Sequence, residues 1–235
     1  AFHQNGNTLT LFARDFTETT SVGLQSMLFD VTNLVACIFV VYGCFGVAQS
    51  KTLKGKLIGA VVIALAIAFL FYKYYQLDGP VDIKAPIFQQ FNPCYVVALT
   101  PVSVALFSWL NRIGKEPTSP EKIGLGMLVA ASAFCLMAAG SVGLALPVDQ
   151  AAAIKAGEEV ARVDANWLIS TYLVLTFAEL LLSPIGISFV SKVAPPKYAG
   201  LMMGLWFAAT AIGNQLVMIP GLMWGANVNL VVIWS

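Results

Sequence analysis

A helix crossing a bilayer needs about 20 consecutive, mostly apolar residues, and runs of this kind dominate the chain. Residues 27–48, 57–75, 93–110, 123–146 and 167–190 each supply one, and residues 199–224 supply a longer one that accommodates tilt. Composition excludes the soluble alternative. Hydrophobic residues make up 58% of the 235 and charged residues 11%, against about 25% charged in an average soluble domain. A soluble chain this poor in charge has no polar surface to present, so its apolar excess must face lipid. The expected fold class is an all-α integral membrane protein embedded in a lipid bilayer.

Charge in the connectors sets the expected orientation. Lys51, Lys54 and Lys56 lie in or beside loop 49–56, Arg112, Lys115 and Lys122 in loop 111–122, and Lys192 and Lys197 in loop 191–198. The intervening connectors carry most of the acids: Asp15 and Glu18, then Asp78 and Asp82, then Asp149, Glu158, Glu159 and Asp164. The positive-inside rule places the three basic loops in the cytoplasm of a multi-pass protein of the cell (inner) membrane. Local breakers agree, with prolines at 117, 120, 195 and 196 and a turn at Asp78-Gly79-Pro80. Segment 149–165, rich in Ala and Glu, is expected to form a short amphipathic helix outside. The chain begins at Ala1 without Met and stops within the short apolar run 228–234. This reads as an internal piece of a longer chain, with residues 1–13 the outer half of another helix.

Several functions are excluded. A net charge of +1 without a basic, aromatic-interleaved patch gives no case for nucleic acid. Cys37, Cys44, Cys94 and Cys135 lie inside apolar runs, without zinc-ligand spacing, and read as small buried hydrophobes. One His and one acid at membrane depth do not make a metal site. A phosphate-binding Gly-rich loop and a Gly-x-Ser-x-Gly turn are both missing. The chain is not read as an enzyme, and no cofactor or metal is expected.

Polar residues at hydrocarbon depth carry the functional signal, because an ionisable group there costs a few kcal/mol unless it faces protein or a hydrated cavity. Glu179 lies midway along run 167–190 with no charged neighbour in its helix. It reads as a substrate or proton site, against the plainer alternative of a carboxyl hydrogen-bonded between helices. Ser183-Pro184, one turn on, marks a kink that serves either as a gate hinge or simply as a bend. His3, Gln4 and Asn5 form a polar cluster near mid-membrane, and His3 titrates where protons exchange at neutral pH. Asn92-Pro93 opens a helix, and from spacing alone Asn92 reads as a cap. Trp206 and Thr210 lie four apart on one face, with Asn214 a turn beyond, as core packing or as a pocket wall. Small residues one turn apart in Gly200 to Gly204 and Gly221 to Gly225 favour close helix packing.

Four segments together resemble the proton-dependent oligopeptide transporter (POT/PTR) family of the major facilitator superfamily. Gln4-Asn5-Gly6-Asn7-Thr8-Leu9-Thr10-Leu11-Phe12-Ala13 is similar to its seventh helix. Phe91-Asn92-Pro93, Pro101 and Trp109 resemble the eighth, followed by the loop Gly114-Lys115-Glu116-Pro117-Thr118-Ser119-Pro120. Ala178-Glu179-Leu180-Leu181-Leu182-Ser183-Pro184-Ile185-Gly186 resembles the tenth. Ala194-Pro195, Gly200 to Phe207 and Ala211-Ile212-Gly213-Asn214 resemble the eleventh. The resemblance divides the chain into 1–16 (outer part of helix seven), 27–76 (an inserted transmembrane pair), 91–146 (helices eight and nine), 147–166 (outer loop), 167–224 (helices ten and eleven) and 225–235 (start of helix twelve). It implies part of a major facilitator bundle with an additional helical pair.

The resemblance also implies roles. Glu179 would bind the amino terminus of a di- or tripeptide and Asn92 its backbone. Trp206 would wall the pocket, with Thr210 and Asn5 as further substrate contacts. Ser183 and Pro184 would gate the inner side, and protons would be the coupling ion. Glu179 and His3 are the proton-coupling candidates, although His3 stands where the family usually has an acid. The amino-terminal helices, which carry the family's acidic and basic motif and the sites for the peptide carboxylate, are expected as the missing partner in the same transporter. Transport of another small solute such as nitrate, and a non-transporting scaffold or sensor, are the alternatives.

Overall fold

In hydrocarbon every backbone N–H and C=O must find a partner inside the protein, so apolar runs of this length close into helices. The computed structural model describes residues 6–77 and 79–234. It is all-α apart from a two-residue antiparallel pairing of β1 (Thr20–Ser21) with β2 (Val81–Asp82) and an isolated bridge between Thr17 and Val163. Six helical stretches are long and apolar enough to cross a membrane: Val31–Gln49, Leu53–Tyr75, Ala85–Arg112, Ser119–Gly140, Ala165–Val193 and Pro196–Trp224. The chain divides into two units, one comprising Thr19–Lys115 and the other the residues up to Glu18 together with those from Glu116 onward.

The Thr19–Lys115 unit is a helical hairpin joined to a third helix. Its hairpin consists of α2 (Val31–Gln49) and α3 (Leu53–Tyr75). Run 27–48 was expected to be helical from its start. Instead Gly23–Phe29 forms a 3-10 helix, and α2 begins after Asp30, whose carboxylate accepts from Thr32 N at 2.8 Å. Lys73 Nζ reaches the same carboxylate at 2.9 Å and ties the end of α3 to the start of α2. At the other end Thr52 Oγ1 caps α3 by accepting from Gly55 N at 3.2 Å. Between these ends the helices touch backbone to backbone. A Cβ added at Gly59 would lie 3.0 Å from the Gly43 carbonyl oxygen, and one at Gly43 would lie 3.1 Å from the Gly59 oxygen.

The third helix, α4 (Phe91–Arg112), follows directly from a 3-10 helix at Ala85–Gln90. Pro101 has no N–H, so the Val97 carbonyl loses its helical donor. Tyr42 of α2 supplies a replacement, its hydroxyl donating to Val97 O at 3.2 Å. Neighbouring helices commonly repair intramembrane prolines in this way.

In the other unit α1 (Thr8–Asp15), α5 (Ser119–Gly140), α6 (Pro147–Ala156), α7 (Ala165–Val193), α8 (Ala199–Leu216), α9 (Met218–Trp224) and α10 (Leu230–Trp234) follow in order. A capping box of Thr118 and Glu121 starts α5. Helix was expected through run 123–146, but α5 ends at Gly140. There the Trp167 indole occupies the space where a side chain would stand and donates to Leu136 O at 3.1 Å. Gly143, at φ 83°, then turns the chain, a conformation that favours glycine. The outer segment holds a shorter helix than expected: α6 starts at Pro147 and stops at Gly157, φ 77°. The last long run is one membrane span but two helical segments. Pro220 leaves the Leu216 carbonyl without its donor, and Asn7 Nδ2 donates to the carbonyl of Val217 between the segments at 3.1 Å.

Candidate functional site

Helix α7 is capped by Asp164, whose carboxylate accepts from Asn166 N at 2.6 Å, and it runs 29 residues without a break. Leu168, Thr171, Tyr172, Leu175, Ala178 and Leu181 are buried along it. α5 comes close to this face at Gly126, where an added Cβ would sit 2.9 Å from Leu182 Cγ and 3.2 Å from the Ala178 carbonyl oxygen. Glu179 is the middle residue of α7 (Ala165–Val193), about 21 Å from either end at 1.5 Å per residue. It is half-buried, flanked by Ala178, which packs towards α5, and by half-buried Leu180. The α5 contact therefore fixes the rotation of α7 and leaves Glu179 on the edge of the packed stripe.

Ser183 and Gly186 lie four and seven residues beyond Glu179, on the same helical stripe. Gly186 is where Trp206 of α8 lands: a Cβ there would collide with the indole ring. Trp206 is thus placed on the Glu179 face of the helix pair, but about 10 Å further along it. Short connector 194–198 makes α7 and α8 an antiparallel pair. Thr210 and Asn214 follow Trp206 at four-residue spacing on one face of α8, and both are exposed. Thr210 Oγ1 donates to its own helix at Trp206 O, 3.0 Å, which leaves the oxygen's lone pairs for a ligand. Pro184 removes the donor to the carbonyl of Leu180, the residue after Glu179, while the helix continues to Val193.

Asn92 belongs to the Thr19–Lys115 unit. It does not cap α4. The N-cap is Gln90, and Asn92 is the second helical residue and half-buried. The 3-10 helix before it feeds straight into α4, so a side-chain cap is not required. His3 and Asn5 lie outside the described residues.

Two polar arrangements were not apparent from sequence. Asp15, counted above among the connector acids, is 3% exposed. It accepts from Arg14 at 2.6 and 2.9 Å and from Trp224 Nε1 at 3.1 Å, beneath an aromatic cluster of Phe12, Phe16, Trp224 and Trp234. Gln150 Nε2 donates to the Asp15 carbonyl at 2.9 Å and Arg162 to the Thr17 carbonyl at 2.8 Å. The second arrangement is the Asp30–Lys73 ion pair. Partial burial pushes the Asp30 carboxyl up, but the hydrogen bonds from Lys73 and Thr32 outweigh it and hold the carboxyl below its ordinary range.

A family model described as "POT family" matches residues 68–223, and the chain belongs to that family. Among characterised and uncharacterised relatives, "Peptide transporter YePEPT" of Yersinia enterocolitica is 32% identical over 168 residues, covering 64% of this chain and 30% of the relative. "Uncharacterized transporter YclF" of Bacillus subtilis is 32% identical over 165 residues, 66% of this chain and 30% of the relative. "Dipeptide and tripeptide permease A" of Escherichia coli is 23% identical over 194 residues, 76% and 36%. The chain therefore spans about a third of the length of these relatives. Among solved structures, a peptide transporter POT in complex with sulfate aligns at TM-score 0.47 and 22% identity, over 88% of this chain and 38% of that one. A POT family transporter with a thioalcohol-conjugated peptide aligns at 0.48 and 20%, over 88% and 37%.

Proposed function

We propose that this chain forms part of a secondary active transporter that imports di- and tripeptides with protons by alternating access. The observation that carries the reading is Glu179, a half-buried carboxylate at the midpoint of a membrane-spanning helix. An ionisable group at that depth is a candidate functional site, and a carboxylate there suits the ammonium of a peptide. The names of the permease and peptide-transporter relatives support the same substrate class.

Each remaining candidate takes the role that the family resemblance implies. Glu179 binds the peptide amino terminus, and Asn92 pairs with the peptide backbone through its amide. Trp206 forms the inner wall of the pocket, two turns from Glu179, with Thr210 above it and Asn5 as a further contact. Ser183 and Pro184 mark the point where α7 bends to open the inner side, because the freed Leu180 carbonyl makes that turn easier to deform. One carboxylate cannot hold an ammonium and a proton at once. Symport therefore needs a second acceptor during the loaded step, and His3 is that group, with protonation of Glu179 reserved for release of the amine. The 27–76 pair stands outside the transport core; its position between the segments that resemble the seventh and eighth family helices supports this.

The test is dipeptide uptake into proteoliposomes of the full-length protein under an imposed proton gradient. Uptake is expected in wild type and is expected to be lost in Glu179→Gln. No peptide uptake, proton-driven uptake of nitrate instead, or full uptake by Glu179→Gln would overturn the reading. His3→Ala is expected to change the pH profile of uptake, and an unchanged profile removes His3 from the coupling scheme.

A further inference from the structure

Two neighbouring helices are interrupted at the same level. Helix α8 ends at Leu216 and α9 begins at Met218, and Pro220 withholds the N–H that the Leu216 carbonyl would receive. Helix α1 begins at Thr8, and the backbone of Asn7 before it is not helical, at φ −120° and ψ −100°. Asn7 Nδ2 bridges the two interruptions by donating to the Val217 carbonyl at 3.1 Å. Gly221 leaves the room that the amide occupies. The three atoms nearest to a Cβ added there all belong to the Asn7 side chain, with Nδ2 at 2.8 Å and Oδ1 at 3.0 Å. A side chain at position 221 would therefore push the amide out of the break.

The same two segments are joined again further along. Trp224, the last residue of α9, donates from Nε1 to the carboxylate of Asp15, the last residue of α1, at 3.1 Å. Its ring also meets that of Phe16 edge-on at 5.9 Å. The contacts of Asn7 with Val217 and of Asp15 with Trp224 advance in the same direction along both helices. So α1 and α9 are parallel neighbours tied at both ends, the ties about 11 Å apart at 1.5 Å per residue. Two ties restrain rotation as well as separation, and the pair moves as one body. Helix α8 is held differently. None of its residues is buried, and it meets α7 where Trp206 lies against Gly186, two residues past the Pro184 interruption of that helix.

We propose that Asn7 is a positioning residue, a pin that fixes the angle between α8 and the α1–α9 pair; its use in transport rests on the alternating-access reading above. Proline interruptions are where long helices bend, and the amide holds this one at a set angle. The lever is long. Trp206 lies 11 residues before Val217, about 16 Å along α8, so a change of about 10° at the break moves it by about 3 Å. The pin thereby decides where the proposed pocket wall stands. Asparagine suits the place because its amide donates a hydrogen bond without bringing a charge into the membrane. A carboxylate at position 7 could not donate when ionised, and a lysine would add a charge.

The experiment reads the contact and the angle separately, in the full-length protein and without peptide. A double-mutant cycle on thermal unfolding reads the contact. Gly221→Ala is expected to lower the midpoint of wild type, where the methyl meets the amide. In Asn7→Ala it is expected to leave the midpoint unchanged or raise it, because the space is open and alanine is the better helix former. Spin labels at the exposed residues Leu201 and Leu222, with the native cysteines replaced, read the angle by pulsed electron paramagnetic resonance. They would be about 31 Å apart along an unbent helix. Asn7→Ala is expected to broaden the distance distribution relative to wild type. An equal effect of Gly221→Ala with and without Asn7 overturns the proposal. So does an unchanged distribution in Asn7→Ala, even with a lower midpoint, since Asn7 would then be a packing residue only. Asn7→Ala removes atoms without adding any, so the distance measurement decides the matter if the alanine at 221 prevents folding. Neither readout depends on which solute is carried, so a failure of peptide uptake bears on the transport reading alone.

Discussion

In the α2–α3 hairpin two backbones meet at Gly43 and Gly59; in the α5–α7 pair they meet at Gly126, against the Ala178 carbonyl and Leu182. Both pairs rest on the same physical device. Between lipid-solvated helices there is little hydrophobic gain, so small residues that let backbones approach supply the packing. The pairs differ in what they hold at mid-depth. Hairpin charges sit only near helix ends, at Lys54, Lys56 and Lys73, whereas α7 carries Glu179 at its centre. An ionisable group at that depth is costly and is the natural candidate for a functional site. The comparison separates a packed element without a mid-depth charge from one that has such a candidate.

The largest expected effect lies on α7. Glu179→Gln is expected to reduce proton-driven dipeptide uptake by at least about tenfold, since losing one partner of a desolvated charge pair costs several kcal/mol. Thermal stability should hardly change; a variant that unfolds instead would make Glu179 a structural residue and remove the contrast. Next is Gly59→Leu in the hairpin, which forces α2 and α3 apart and is expected to cost about 1–3 kcal/mol. Uptake per folded molecule should persist. Its loss would show that the hairpin belongs to the transport cycle.

Tyr42→Phe is a finer probe. It leaves the Val97 carbonyl, already deprived of a donor by Pro101, without the hydroxyl that serves it. The expected loss is about 0.6 kcal/mol, the average for a hydrogen bond between membrane helices, read as a lower unfolding midpoint that Tyr42→Ala exceeds. The smallest effect concerns Asp30. Its carboxyl titrates lower in the folded protein than in the unfolded chain, so its contribution is fully present above the unfolded value and fades as pH falls below about 4. Asp30→Asn should lower the midpoint slightly at neutral pH, and the gap to wild type should narrow towards pH 3. A gap that widens on acidification would reverse the sign assigned to the Lys73 pair.

Helix number and position were legible in the sequence because bilayer thickness sets a length and lipid sets a composition, and both are local. Helix ends were less so. Run 123–146 is apolar to its last residue, yet the helix stops at Gly140 and the chain turns at Gly143, φ 83°, while Trp167, distant in sequence, fills the space beside Gly140. The start of α2 likewise follows from an Asp30 cap that an apolar count passes over. Asn92 illustrates the reverse case: the Asn-Pro pair looks like a helix start, but the 3-10 helix before it carries the backbone straight through.

The sequence by itself determined that this chain crosses membranes as helices, that Glu179 is the exceptional charge at depth, and that the residues around it resemble one transporter family. Depth and hydropathy are properties of a residue and its immediate neighbours, so one dimension suffices for them. Only the tertiary structure decided which face of α7 packs against α5, that Trp206 meets Gly186, and that Tyr42 serves the Val97 carbonyl that Pro101 leaves without its donor. Each of these depends on which helix packs against which, and at what register. Tyr42 and Val97 are 55 residues apart, and nothing local to either one specifies the other.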